Sequence, residues 1–170
     1  MERKGITAFK GSSLTLIGPE LKAGDKAPDF LVLNSELKEF SLKDFAGKVK
    51  IISVTPSLDT PVCDIQARRF NKEAAGLATD VVVLNISMDL PFAISRFCTN
   101  AGIDKVLALS DHREASFGKA YGVLIKELRL LARSIFVIDK KDVIRYLQIV
   151  PELTDLPDFD AALAEIKNLN

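Results

Sequence analysis

The chain has two cysteines, and one of them stands in a setting that suits nucleophilic chemistry. Cys63 follows Thr60 and Pro61 in the stretch VTPSLDTPVCDIQARRFN, residues 54–71. The Thr60 hydroxyl can accept a backbone N–H from the first turn of a helix, and proline suits the first helical position. Cys63 would then lie in that first turn, where unpaired N–H groups and the helix dipole favour an anion such as an accessible thiolate.

A structural interpretation fits the same residues. Thr60 and Pro61 could form an ordinary helix cap and Cys63 could be a small core residue, as free cysteines often are. Local features leave these two interpretations about even. Full ionisation of a thiol at neutral pH gains only about 30-fold in rate, roughly 2 kcal/mol. A fast enzyme would therefore also need placed hydrogen-bond donors, for which an arginine and the Thr60 hydroxyl are candidates.

Composition predicts one compact domain spanning residues 1–170, because 48% of the residues are hydrophobic and can form a sizeable core. The 23 Lys and Arg residues balance the 23 Asp and Glu residues, so net charge favours neither nucleic acid nor an anionic membrane. The single histidine, His112, and the absence of a C-x-x-C pair argue against a zinc site or a cysteine–histidine dyad.

We expect a cytoplasmic protein, because the N-terminal residues lack the apolar core and cleavage site of a signal peptide and no apolar run reaches membrane-spanning length. In that compartment two cysteines are redox-active or free thiols more often than a permanent disulfide.

Hydrophobic periodicity and turn residues predict an alternation of strands and helices. The helix after Cys63 has Val62, Ile65, Phe70 and Ala74 as candidate inward positions. The predicted order is an N-terminal hairpin in 1–18; a strand, a turn, a short strand and one helical turn ending near Gly47; a strand in 49–56; a helix from Pro61 to about Leu77; a strand in 80–89; a helix in 91–102; a short strand in 105–111; a short helix in 114–122; a hairpin in 132–150; and a closing helix in 157–169.

This order predicts an α/β protein with a central mixed sheet that helices cover on both faces. The thioredoxin-like fold is the simplest match, with the N-terminal β-hairpin as an addition to it.

The segment TPSLDTPVC fits the P-x-x-x-T-x-x-C pattern of peroxiredoxins, with Pro56, Thr60 and Cys63 in register. Together with SRFCTNAGI and LLARSIFVID, it closely resembles the thiol peroxidase class of atypical two-cysteine peroxiredoxins, over essentially the whole chain. Ala67 departs from the resemblance, since a threonine is expected there.

The resemblance implies that Cys63 attacks a hydroperoxide and becomes a sulfenic acid. Thr60 would hold the thiolate and the peroxide by hydrogen bonds, Pro56 would shield the sulfur from water, and Arg133 would place a positive charge beside it. Without the resemblance, Arg133 would be interpreted as a solvated arginine at the end of a strand.

The resemblance also makes Cys98 the resolving cysteine, which condenses with the sulfenic acid of Cys63 in the same chain. Local sequence equally allows a core thiol on the helix that carries Phe92, Ile94 and Phe97. A disulfide needs Cα atoms within about 7 Å, so we expect local unwinding of one or both helix turns during the cycle.

The implied substrates are hydrogen peroxide and organic hydroperoxides, with thioredoxin as the reductant, no cofactor or metal, and a homodimer whose interface lies near the active site. Three other interpretations stay open: a disulfide oxidoreductase, which the missing C-x-x-C disfavours; a one-cysteine peroxidase in which Cys98 is only a core residue; and a thioredoxin-like binding module with incidental thiols.

Overall fold

The computed structural model describes residues 1–169, which form ten strands and four α-helices. The strands are β1 Glu2–Phe9, β2 Ser12–Ile17, β3 Leu31–Leu33, β4 Glu39–Ser41, β5 Val49–Val54, β6 Val81–Ser87, β7 Leu107–Ser110, β8 Leu124–Ile125, β9 Ser134–Ile138 and β10 Ile144–Ile149. The helices are α1 Pro61–Ala74, α2 Pro91–Ala101, α3 Ser116–Ala120 and α4 Phe159–Asn168, with a 3-10 turn at Leu42–Phe45.

Seven strands form a central mixed sheet in the order β10-β9-β5-β6-β7-β3-β4. Strands β5, β6 and β7 pair in parallel, while β9 and β10 are antiparallel to their neighbours. All six residues of β5 are buried because this strand lies inside the sheet with both faces covered. The predicted α/β class with a central mixed sheet is confirmed.

Helices and loops cover both faces of this sheet. One hydrophobic cluster joins the sheet to α1, α2 and α4, while a second joins the opposite face to α3 and the N-terminal hairpin. Both cysteine-bearing helices, α1 and α2, therefore lie on the same face. Among residues 1–169, no helix is long and apolar enough to cross a membrane.

The N-terminal hairpin forms as predicted, but it belongs to a small second sheet of order β1-β2-β8. The two-residue strand β8 was not predicted, since it is too short to show a periodicity. Ala8 of the hairpin also bonds to the segment after β10, donating to the Pro151 carbonyl at 2.8 Å and accepting from the Leu153 N–H at 2.9 Å. The hairpin thus ties down a segment from the far end of the chain.

The inward face of α1 differs from the prediction. Ile65 is 49% exposed and Val62 only partly buried, whereas Cys63, Gln66, Ala67 and Phe70 are buried. The apolar pattern misled the prediction because Gln66, a polar residue, finds buried hydrogen-bond partners on the inner face. The helix also ends at Ala74, three residues before the predicted end near Leu77.

Lys50 is a charged residue in the middle of the sheet. It interrupts the apolar run of β5, yet its side chain is fully buried. Its ammonium group donates to the Asp139 carbonyl at 3.3 Å and pairs with the Asp142 carboxylate in the β9–β10 turn. Partners on the neighbouring hairpin therefore compensate for the lost hydration of the ammonium group.

We predict that D142N lowers the free energy of unfolding by about 3 kcal/mol, because it leaves a buried ammonium group without its counter-charge. K50M should cost less than about 1 kcal/mol, since methionine suits an apolar site of similar volume. D80N is the matched control: it breaks the exposed pair with Lys140 and should leave the free energy of unfolding nearly unchanged. Urea unfolding measures all three, and equal losses in D142N and D80N would contradict the prediction.

Candidate active site

The segment between β5 and α1 presents Cys63 in the first turn of the helix. Thr60 is the N-cap, with extended backbone at φ −132°, and its hydroxyl accepts the Cys63 N–H at 3.4 Å. Pro61 occupies the first helical position, where its missing N–H is not needed. The local geometry predicted for Thr60, Pro61 and Cys63 is therefore present.

The Arg133 guanidinium contacts the Cys63 sulfur, with Nη2 at 3.3 Å from Sγ. Pairing between β5 and β9 brings the two residues together, because Val54 at the end of β5 lies opposite Ser134 at the start of β9. Arg133 is only 2% exposed, so it is not a solvated arginine at a strand end.

The remaining hydrogen bonds of the Arg133 side chain hold it in place. Nε donates to the Leu153 carbonyl at 2.9 Å and Nη1 donates to Gln66 Oε1 at 2.8 Å. Both acceptors are uncharged, and the third partner is the Cys63 sulfur. Among the described residues, no carboxylate is bonded to this guanidinium. Its positive charge therefore faces the Cys63 sulfur and favours negative charge on the sulfur.

Gln66 is a site residue that the sequence analysis missed. It lies one turn after Cys63, and its amide group donates to Ser53 Oγ at 2.8 Å and to the Val54 carbonyl at 3.3 Å. These bonds orient Gln66 so that its oxygen points at Arg133. The available signal was its spacing, since positions 63 and 66 share one face of a helix.

The Thr60 hydroxyl is engaged with the backbone rather than with the sulfur. It donates to the Ser57 carbonyl at 3.2 Å and accepts from the Cys63 N–H. The predicted hydrogen bond from Thr60 to the thiolate is not formed in this conformation. Rotation of the hydroxyl would be required to aim its proton at Cys63 or at a bound peroxide.

A pocket of about 330 Å³ opens beside this cluster. Pro56, Thr60 and Arg133 line it together with residues that are mainly apolar. The other lining residues are Phe9, Ser57, Pro61, Val62, Leu128, Leu130, Leu153 and Thr154. The pocket therefore suits a small apolar ligand with a polar end directed at Arg133.

The expected exposure of the Cys63 sulfur is not observed. The residue has no exposed surface, because the N-terminal turn of α1 and the Arg133 side chain enclose it. Arg133 both lines the pocket and contacts the sulfur, so a ligand reaching the sulfur passes beside this guanidinium.

Cys98 lies near the end of α2, and both cysteines are free thiols. It is half-buried, and this burial raises the pKa of the Cys98 thiol. Its open side lines a separate cavity of about 450 Å³ that does not include Cys63. On the same helix, Ile94 is buried and Phe92 is 68% exposed, so the predicted apolar surroundings of Cys98 form only in part.

The described residues contain no group of three or more His, Cys, Asp or Glu side chains that could hold a metal ion. His112 lies in a turn with Nδ1 at 2.9 Å from Ser110 Oγ. The chemistry available here is therefore that of a buried sulfur beside a guanidinium.

The chain is similar to known proteins in both sequence and structure. A model of the Redoxin family matches residues 22–163. A thiol peroxidase of Staphylococcus aureus (strain MRSA252) is 55% identical over 161 residues, covering 95% of this chain and 97% of the relative. A thiol peroxidase of Bacillus subtilis (strain 168) is 57% identical over 161 residues, covering 95% and 96%.

Among solved structures, the crystal structure of a peroxiredoxin-like protein from Aquifex aeolicus superimposes with a TM-score of 0.90 at 42% sequence identity. The match covers 96% of each chain. Nearly the whole architecture is thus shared with this neighbour.

The inward orientation of Gln66 can be tested by comparing a substitution at Gln66 with one at its neighbour Ile65. We predict that Q66L lowers the free energy of unfolding by about 2 kcal/mol, because it removes the acceptor of a buried guanidinium hydrogen bond. I65Q changes an exposed side chain and should cost under about 0.5 kcal/mol. Urea denaturation measures the free energy of unfolding of both variants. A larger decrease in I65Q than in Q66L would mean that Ile65, and not Gln66, lies on the inner face of the helix.

Proposed function

Because the chain belongs to the redoxin family, we propose that it is a thiol peroxidase with Cys63 as the attacking sulfur. The observation that supports this most strongly is the buried contact between Arg133 Nη2 and Cys63 Sγ at 3.3 Å. A thiol that only fills the core requires no guanidinium beside it. Burial of the cation costs free energy unless hydrogen bonds or a negative charge compensate for the lost hydration.

In the first step the Cys63 thiolate attacks the terminal oxygen of a hydroperoxide. The S–O bond forms as the O–O bond breaks, so the sulfur is oxidised to a sulfenic acid and the peroxide is reduced to an alcohol or water. The leaving oxygen takes a proton, which solvent can supply. Arg133 stabilises the charge that moves from sulfur to oxygen.

Thr60 and Pro56 have supporting roles in this proposal. Thr60 lines the pocket and, after rotation of its hydroxyl, would orient the peroxide there. Pro56 is buried against the pocket and would keep water from the sulfur. The apolar lining supports organic hydroperoxides, including alkyl and lipid forms, as substrates beside hydrogen peroxide.

In the second step the Cys98 thiol condenses with the Cys63 sulfenic acid. The S–S bond forms as the S–OH bond breaks, and the hydroxyl leaves as water with the thiol proton. The two thiols lie on separate helices and Cys63 is fully buried, so we expect this step to involve local unwinding near either cysteine.

We further propose that thioredoxin reduces the disulfide, that the chain acts as a homodimer with its interface near the pocket, and that it works in the cytoplasm as a single domain of residues 1–170. A cytosolic reductant of this kind would return both cysteines to the thiol form after each turnover. Exposed Phe9 and Leu128 at the pocket mouth would suit such an interface.

A one-cysteine peroxidase is the second candidate. The separate cavity of Cys98 and the raised pKa of its thiol favour this candidate. An external thiol would then resolve Cys63, and Cys98 would remain reduced throughout the cycle.

One equivalent of hydrogen peroxide added to the reduced protein should produce the loss of two hydrogens in the intact mass and a Cys63–Cys98 crosslinked peptide. C63S should consume no peroxide, because the attacking sulfur is gone. C98S should gain one oxygen on Cys63 and lose thioredoxin-dependent turnover.

Persistent peroxide consumption by C63S would contradict the site assignment. Thioredoxin-dependent turnover of C98S at the wild-type rate would instead favour the one-cysteine candidate. A binding module would show neither the mass loss nor the crosslink.

Disulfide formation should depend on pH through Cys98. Because burial raises the pKa of this thiol above its ordinary value, its thiolate fraction is still increasing with pH where an ordinary thiol is already largely ionised. The rate from sulfenic acid to disulfide should increase in proportion to that fraction, and its plateau should lie at higher pH than for an ordinary thiol. Rapid quenching at saturating peroxide measures this step alone, and a pH-independent rate would show that attack by the Cys98 thiolate does not limit it.

A further inference from the structure

Asp89 connects the segment that presents Cys63 to the helix that carries Cys98. It lies between β6 and α2, two residues before Pro91 begins the helix. Its carboxylate accepts three hydrogen bonds, from Ser57 Oγ at 2.7 Å, from Leu58 N–H at 2.7 Å and from Ser87 Oγ at 2.9 Å.

Two of these three bonds go to the loop before α1. A carboxylate just ahead of a helix usually caps that helix, but the N-cap of α2 is Leu90, and no side chain caps it. Most of the hydrogen bonds that the Asp89 carboxylate accepts thus come from the loop before α1, and none comes from α2. Its backbone is held as well, since its carbonyl accepts from Ser110 Oγ on β7.

A continuous chain of hydrogen bonds runs from Asp89 to the Cys63 backbone. The Ser57 hydroxyl donates to Asp89, the Ser57 carbonyl accepts from the Thr60 hydroxyl at 3.2 Å, and that hydroxyl accepts the Cys63 N–H at 3.4 Å. The Ser57 hydroxyl also accepts the Asp59 N–H at 3.2 Å. Asp89 therefore organises the turn that positions the sulfur in the reduced protein.

We propose that Asp89 is a positioning residue that holds the enzyme in its peroxide-reactive conformation and opposes the conformation that forms the disulfide. This proposal rests on the proposed function. The Cys63–Cys98 bond requires Cys63 to leave its buried site and α1 or α2 to unwind, and the bonds from Asp89 to Ser57 and Leu58 tie the starts of both helices together.

Opposite effects on the two chemical steps follow from this arrangement. D89A removes the three accepted bonds, so the Cys63 loop loses its orientation and sulfenic acid formation should slow about tenfold. The same loss favours the open conformation, so disulfide formation should accelerate about tenfold. S57A removes one of the bonds and should shift both rates in the same directions by a smaller factor.

An equilibrium measurement gives an independent readout. The bonds of Asp89 to the loop exist in the dithiol form, so their removal should favour the disulfide about tenfold, equivalent to a reduction potential lower by about 30 mV. A residue that merely stabilised the fold would affect both redox forms equally and leave the potential unchanged.

The test uses rapid quenching of the reduced full-length protein with hydrogen peroxide, followed by intact mass, and redox equilibration with dithiothreitol. D139N is the control, because Asp139 likewise accepts three hydrogen bonds, two from backbone N–H groups and one from Arg145 Nε, in the turn at the opposite end of β9 from Arg133. It should change neither rate nor the potential.

Rates that change in opposite directions in D89A and S57A, with a lowered potential in D89A, support the proposal. Slowing of both steps together, or rates and a potential equal to wild type, would overturn it. If D89A does not fold, the S57A rates and potential decide in the same way. A wild-type protein that forms neither sulfenic acid nor disulfide would overturn the proposed function itself.

Discussion

The buried contact between the Arg133 guanidinium and the Cys63 sulfur places the strongest demand on the rest of the structure. A cation excluded from water needs hydrogen-bond acceptors, or its burial would destabilise the fold by several kcal/mol. Gln66 and the Leu153 carbonyl supply two neutral oxygens for this purpose. The positive charge consequently remains available to the sulfur, and any negative charge that develops there is stabilised in surroundings of low dielectric constant.

The sheet topology explains how residues from distant parts of the chain come together at this contact. Strand β9 lies beside β5 in the central sheet, and the pairing of Val54 with Ser134 places the residue before β9 next to the loop after β5. The N-terminal hairpin then fixes the opposite side by bonding to the backbone at Leu153. Helix α1 and the segment at Leu153 thus both hold the guanidinium, and the hairpin acts on it indirectly, through the backbone of Leu153.

Local signals made the Cys63 helix start and the order of the main elements predictable, because caps, prolines and apolar periodicity act over a few residues. The inward positions of α1 were predicted only in part: Phe70 is buried as expected, but Ile65 is exposed and Gln66 is buried in its place, which only tertiary partners explain. The burial of Lys50 and the pairing of β8 depend on segments far away in sequence. The Asp89 bonds are of the same kind, and no local pattern indicates them.

The long sequence separation in the Arg133–Cys63 contact has a consequence for the newly made chain. The two residues lie 70 positions apart, and the Leu153 carbonyl that orients the arginine comes 20 positions later still. Translation proceeds from the N-terminus, so Cys63 leaves the ribosome well before its cation does. The nascent polypeptide therefore carries Cys63 without this contact, which forms only once almost the entire protein has been synthesised and folded.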